Sequence, residues 1–204
     1  MTAPLHIING LIARMGYQTY LEIGVRQSEK NFDLVTAKLK HGIDINPDAH
    51  ATFTMTSDAF FEGGHGLPAY DLIYVDGDHR ELPSLRDLAH AVDRLTPNGT
   101  VVCDNILPWD VDSTRPTANC DAWKSFAYLR MSRPDLWMCA LDIPFGLGVI
   151  RDGRQALFVP QETRYHVFQR DPAVDFYFYL HYRDRLMNVV SESDFWKLAE
   201  GWPK

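Results

Sequence analysis

A chain of 204 residues with 46% hydrophobic content is long enough to bury one substantial core and short for two, so a single domain is expected. The formal charge of −7, with no Lys/Arg block longer than a pair, gives no broad basic face, so nucleic acid is not an expected partner. Nor is a membrane, because no run approaches the roughly 20 apolar residues of a span and no basic region precedes the N-terminal apolar stretch, so a cytoplasmic protein is expected.

From the N-terminus to about residue 160, short apolar runs alternate with helical patterns, and Gly, Pro, Asn and Asp mark the joints. This alternation predicts βαβ units and a mainly parallel, doubly wound α/β sheet. Strands are expected over 19–24, 42–46, 52–56, 71–76 and 100–104, each ending in a polar residue or glycine. A helix is expected over 81–95, with Leu82, Leu85, Leu88, Val92 and Leu95 on its inner face, Asp87 elsewhere, and Pro97-Asn98-Gly99 as its stop. A second helix starts with Asp121 as cap, turns Ala122, Phe126 and Leu129 inward, and ends before Pro134. Two further strands, 136–141 and 145–150, follow. Residues 161–204 change character: the aromatic run around Phe176, Tyr177, Phe178, Tyr179 and Tyr182 reads as an appendage serving as a lid, a homodimer contact or packing on the sheet. Cys103, Cys120 and Cys139 lack metal spacing and read as reduced thiols.

The chemistry gathers at the strands' carboxyl ends. The first strand, with Glu22, turns tightly at Gly24-Val25, where a glycine lets a ligand approach the backbone. Twenty-two positions after Glu22, Asp44 ends the second strand, the spacing at which a doubly wound fold brings a carboxylate to a ribose. That pair fits a dinucleotide or S-adenosylmethionine. A dinucleotide needs GxGxxG against its pyrophosphate, whereas here Arg26 and Glu29 replace the second and third glycines. S-adenosylmethionine carries no phosphate, and Glu22 and Asp76 suit its cationic groups, so the loop favours the methyl donor. After the third strand, Asp58 is placed to accept from the adenine amine, with Ser57 beside it and Ile45 and Phe60 or Phe61 covering the ring. The alternative is that Ser57 or Asp58 caps a short helix and the phenylalanines are core.

Strand four ends in Asp76-Gly77-Asp78-His79 and strand five in Asp104-Asn105. Neighbouring parallel strands thus bring Asp76, Asp104 and the Asn105 carbonyl to one edge, a hard oxygen set suited to Mg²⁺. Alternatively Asp76 serves the cofactor alone and Asp104 and Asn105 cap a turn. His65, in a glycine-rich loop, reads as solvated, and the stretch after Trp109 is placed to contact substrate.

Taken in order, YLEIGVRQSEKNF, GIDINP, MTSDAFF, DLIYVDGDHRELPSLRDLAHAVDRLTPNGTVVCDN, DAWKSFAYLRMSRPDL and FGLGVIR resemble a bacterial branch of the class I methyltransferases over about residues 18–160. The resemblance implies a Rossmann-like, seven-stranded sheet with the 145–150 strand antiparallel, and S-adenosylmethionine across the first four strands. A further glycine usual in the first loop is missing, with Ser28 near its place. The Asp76, Asp104, Asn105 triplet is similar to that of the divalent-metal O-methyltransferases, which include the catechol and macrolide-sugar enzymes. In the catechol enzymes the base stands three residues after the first metal aspartate, which here is His79. The resemblance therefore implies methyl transfer to a small-molecule or glycan hydroxyl, assisted by Mg²⁺, with His79 accepting the proton. The rivals are an NAD-dependent oxidoreductase and a catalytically silent domain that binds cofactor or partner.

Overall fold

A computed structural model describes residues 3–63, 68–114, 121–160 and 172–203; His65 and Cys120, singled out above, lie outside them. Helix α1 (Ala3–Met15) leads into β1 (Thr19–Ile23) and β2 (Leu39–Asp44). Then come β3 (Phe53–Thr54), α2 (Ser57–Glu62), β4 (Tyr70–Val75), α3 (Glu81–Asp93) and β5 (Leu95–Asp104). The chain continues through α4 (Ala122–Ser132), β6 (Leu136–Leu141), β7 (Leu147–Asp152), α5 (Pro172–Leu186), β8 (Val189–Val190) and α6 (Glu192–Glu200). The strands form one sheet in the order β3-β2-β1-β4-β5-β7-β6-β8, with β7 antiparallel to both neighbours and the other pairings parallel.

The sheet is wound on both faces. Along β1, Leu21 and Ile23 join one hydrophobic cluster and Tyr20 joins the other, because alternate side chains leave a strand on opposite sides. The first cluster packs under α3, α4 and α5; the second holds Leu5, Ile8, Leu11 and Ile12 of α1 with Phe195 of α6. The 3–4 spacing of those α1 residues is what makes it a helix with one buried face.

Four expectations are corrected. The sheet has eight strands instead of seven, because Val189 and Val190 pair with β6 at Ala140 and Leu141. A two-residue strand has no period of its own, and tertiary pairing alone defines it. Helix α3 buries Ser84, Asp87, Leu88 and Ala91, while Leu82 is 65% exposed, so its inner face is rotated from the one expected. Polar pairs set that rotation: Ser84 meets Ser125 of α4 at 2.9 Å and Asp87 accepts from Ser57 at 2.5 Å. The helix also stops at Asp93, before the Pro97-Asn98-Gly99 punctuation, which lies within β5. Finally, β7 starts at Leu147, since Phe145 (φ 69°) and Gly146 (φ 71°) form its left-handed turn.

The C-terminal aromatics divide by face. Phe176, Tyr179 and Tyr182 are buried in the first cluster, and Tyr177 is exposed. Lys124 on α4 and Asp175 on α5, both buried, pair at 2.5 Å and pin the two helices together. Cys103 and Cys139 are buried free thiols. No helix among the described residues is long and apolar enough to cross a membrane.

Candidate active site

A cavity of about 570 Å³ opens at the carboxyl ends of β1, β2 and β4, the crevice where an open α/β sheet binds ligands. Gly24, Asp44, Ile45, Ser57, Asp58 and Asp76, all expected at the cofactor, line it together with His79. Gly24 sits at φ 88°, and a Cβ there would stand 2.2 Å from the Asp76 carbonyl oxygen. The glycine is thus required by the backbone at the end of β4, whatever ligand approaches the turn. Asp44 is held rigidly: one oxygen accepts from the Arg26 amide and the other from the Asn46 amide, each at 2.7 Å. Each carboxylate oxygen keeps a further lone pair, enough for two vicinal hydroxyls.

Two expected cofactor residues keep their side chains out of the cavity. Glu22 is 1% exposed and points to the α1 face, where it accepts from the Tyr20 hydroxyl at 2.5 Å and the Asn31 amide at 2.9 Å. Burial, only partly offset by these hydrogen bonds, pushes its carboxyl up to about 8. Val25 is buried against Gly42, where a Cβ would come within 2.6 Å of its Cγ2. For Glu22 the sequence hides this, because a strand buried on both faces gives no clue to which side chain faces the ligand.

On the far wall, Thr56 caps α2 by accepting from the Ala59 amide at 3.1 Å, which leaves Ser57 and Asp58 facing the cavity. Asp58 pairs with Arg86 at 3.1 Å. Phe60 packs in the core against Phe53, and Phe61 lies against His90; neither lines the cavity, whose apolar wall includes Ile45 and Met55. Asp87, read as an outward residue, lines the cavity beside Ser57, and burial raises its carboxyl to about 6. The missed signal was the serine and aspartate one turn apart on α3, which interrupt its apolar stripe where the helix crosses the cavity.

At the cavity's other end the fold joins Asp76, His79, Asp104 and Asn105. The Asp76 Oδ1 lies 2.9 Å from His79 Nε2, and the Asn105 amide nitrogen lies 3.1 Å from His79 Nδ1. With Nε2–H donating to Asp76 and the amide donating to Nδ1, both of these contacts are satisfied by one tautomer. Burial works against a charged imidazole, but the hydrogen bond and charge of Asp76, reinforced by Asp104 and Asp78, prevail and raise its pKa. Asp104 accepts from the Tyr74 hydroxyl at 3.0 Å and the Asn105 amide at 2.9 Å; burial and then the charge of Asp76 lift it to about 6. Asn105 takes the left-handed conformation, φ 59°, at this turn. Among the described residues no group of three or more His, Cys, Asp and Glu is arranged to hold a metal. The triplet expected to do so has two carboxylates and an amide. Its donor chemistry nonetheless fits a dication, since the mutual repulsion that lifts Asp104 is what such an ion relieves.

Residues 12–106, which hold Gly24, Asp44, Asp76, His79 and Asp104, match the model of a methyltransferase domain family. Over that stretch, just under half of its length, the chain is similar to methyltransferase domains. That match counts against the nicotinamide-dependent alternative, as do Arg26 and Glu29 in the first loop. Solved structures share the chain's fold. An O-methyltransferase from Bacillus cereus in complex with S-adenosylhomocysteine is 14% identical over 74% of this chain and 80% of its own, with a TM-score of 0.58. The O-methyltransferase TomG from Streptomyces achromogenes, involved in tomaymycin synthesis and bound to S-adenosylmethionine, is 16% identical over 74% and 81%, with a TM-score of 0.55. MycE, from the mycinamycin pathway and in complex with Mg, S-adenosylhomocysteine and mycinamycin VI, is 14% identical over 77% of this chain and 51% of its own, with a TM-score of 0.52. No curated protein sequence matches at a comparable significance.

Proposed function

We propose that the chain transfers the methyl group of S-adenosylmethionine to a hydroxyl of a small-molecule or glycan acceptor. The charge of the cavity supports the donor: five aspartates, Asp44, Asp58, Asp76, Asp78 and Asp87, face three arginines, an acidic balance suited to a sulfonium and an ammonium and unsuited to a pyrophosphate. The observation that carries the acceptor assignment is the Asp76–His79–Asn105 chain of contacts at the cavity's end. It sets a strengthened base beside the donor site, as deprotonation of a hydroxyl requires.

In the transfer, the acceptor oxygen attacks the methyl carbon in line, the carbon–sulfur bond breaks toward sulfur, and the hydroxyl proton passes to His79 Nδ1. Asp76 holds the ring through Nε2–H and stabilises the imidazolium. Once Nδ1 carries a proton, the Asn105 amide nitrogen no longer suits it, and the side chain must turn its carbonyl oxygen to accept. Asp76, Asp104 and the Asn105 carbonyl would hold Mg²⁺, which when bound supplies a Lewis acid that lowers the pKa of an acceptor hydroxyl.

The test is transfer of labelled methyl from S-adenosylmethionine to a panel of catechols, phenols and sugar hydroxyls, with Mg²⁺ or with EDTA. Labelled methyl ether in the wild type and its loss in His79→Ala support the reading. Turnover of equal rate in EDTA removes the metal from it. Labelling of nitrogen or carbon in place of oxygen overturns the acceptor assignment.

A further inference from the structure

The first loop places an arginine where the dinucleotide fingerprint has glycine, and Arg26 adopts φ 55°, a left-handed conformation that glycine occupies more easily. Its backbone is fixed there by the 2.7 Å bond from its amide to Asp44. A strained non-glycine residue at a ligand cavity calls for a role of its side chain.

The charge pairing in the cavity isolates that side chain. Of the three arginines lining it, Arg80 is engaged in a two-pronged contact with Asp78, and Arg86 pairs with Asp58 at 3.1 Å. Arg26 is exposed, and its guanidinium has no hydrogen-bond or ion-pair partner among the described residues. Its place in the chain is between the Gly24 turn, which abuts Asp76, and the end of β2 at Asp44.

S-adenosylmethionine presents two cationic groups, a nucleoside and one anion, the α-carboxylate of its methionyl part. The aspartates of the cavity suit the cations and the ribose, and none of them suits that carboxylate. We infer that Arg26 binds the α-carboxylate of the cofactor, its planar fork matching the two oxygens. The inference rests on the reading that this cavity takes S-adenosylmethionine. Asp44 then has a double task, to present acceptors to the ribose and to hold the arginine's backbone in the conformation that aims it.

The experiment is calorimetric titration of the full chain with S-adenosylhomocysteine and with its decarboxylated analogue, which keeps the nucleoside, the thioether and the amine. The variants are Arg26→Gly, which the positive φ accommodates without strain, and Arg26→Lys. The expected result is that Arg26→Gly weakens S-adenosylhomocysteine by about 10- to 100-fold, the range of a charge-assisted pair, and changes the analogue's affinity by less than about twofold. Arg26→Lys retains part of the difference, because an ammonium cannot form the fork. Equal weakening of both ligands, or no weakening of either, overturns the inference and leaves the cofactor reading standing. A wild-type chain that binds neither ligand overturns the cofactor reading itself, and the inference with it.

Discussion

Replacing Glu22 with Gln separates a structural carboxyl from a cofactor-binding one. In the folded chain its carboxyl is pushed up from 4.5 to about 8, chiefly by burial. That is about 3.5 pH units, or about 5 kcal/mol at about 1.36 kcal/mol per unit, and 1% exposure leaves little solvent screening to reduce it. Because the folded value lies above the unfolded one, the contribution of Glu22 is fully present below pH 4.5 and is lost as the pH rises through about 8. A glutamine has the shape of the neutral carboxyl and does not titrate. The difference in unfolding free energy between Glu22→Gln and wild type should therefore move in the variant's favour by about 4 kcal/mol between pH 5 and pH 9. Urea titrations of both proteins across that range measure it, since the linkage of every other group cancels in the difference. At pH 7, where Glu22 is mainly protonated, the affinity for S-adenosylhomocysteine should change by less than about twofold. Parallel stability curves for the two proteins from pH 5 to pH 9 would refute the burial argument. A large loss of affinity with unchanged stability would return Glu22 to the cofactor.

Gly24→Ala should abolish S-adenosylhomocysteine binding and lower the melting temperature, because a Cβ 2.2 Å from the Asp76 carbonyl oxygen forces β1 and β4 apart at the cavity; retained affinity by calorimetry would show the turn to be pliable. Asp104→Ala should leave that affinity nearly intact, since Asp104 does not line the cavity, and should remove any stimulation of methyl transfer by Mg²⁺, which parallel assays in EDTA reveal. Tyr179→Ala, at a fully buried position on α5 against Trp123, should cost about 3–5 kcal/mol in urea unfolding if the C-terminal helix belongs to the core; a change under about 1 kcal/mol would make it a detachable strap.

What the sequence shows and hides at this site follows from the geometry of strands and helices. Asp44 is legible because the length of the crossover from β1 to the end of β2 sets its distance from Glu22, and Asp76, His79 and Asp104 are legible because parallel strands end together at one edge. The inward orientation of Glu22 is hidden because β1 is buried on both faces, so alternation carries no sign of the ligand side. Asp87 misleads for the opposite reason: a carboxylate on an amphipathic helix reads as solvent-facing, yet this one turns inward to Ser57 at the cavity wall. Strand β8 leaves no trace in any period because its two residues are defined by Ala140 and Leu141 across the ladder. The residues hardest to read are thus those whose role is set by a neighbour distant in the chain.

The same dependence on neighbours constrains how Asp76 can act. One of its oxygens is engaged by His79 at 2.9 Å, and that hydrogen bond, followed by its charge, is the main influence raising the imidazole's pKa. Sharing that charge with a divalent ion would leave His79 a weaker base while making the acceptor hydroxyl more acidic, whereas without the ion the whole task of deprotonation falls on a stronger base. Both effects of the ion, on His79 and on the hydroxyl, would move the pH dependence of activity to lower pH, so activity alone does not separate them. Binding does: if Asp76 is shared, Mg²⁺ should lower the pKa of His79 followed by its ring-proton resonances in the complex with S-adenosylhomocysteine, and Asp104→Ala should abolish the shift. An imidazole that titrates identically with and without Mg²⁺ would leave the Asp76–His79 pair to do the chemistry unaided.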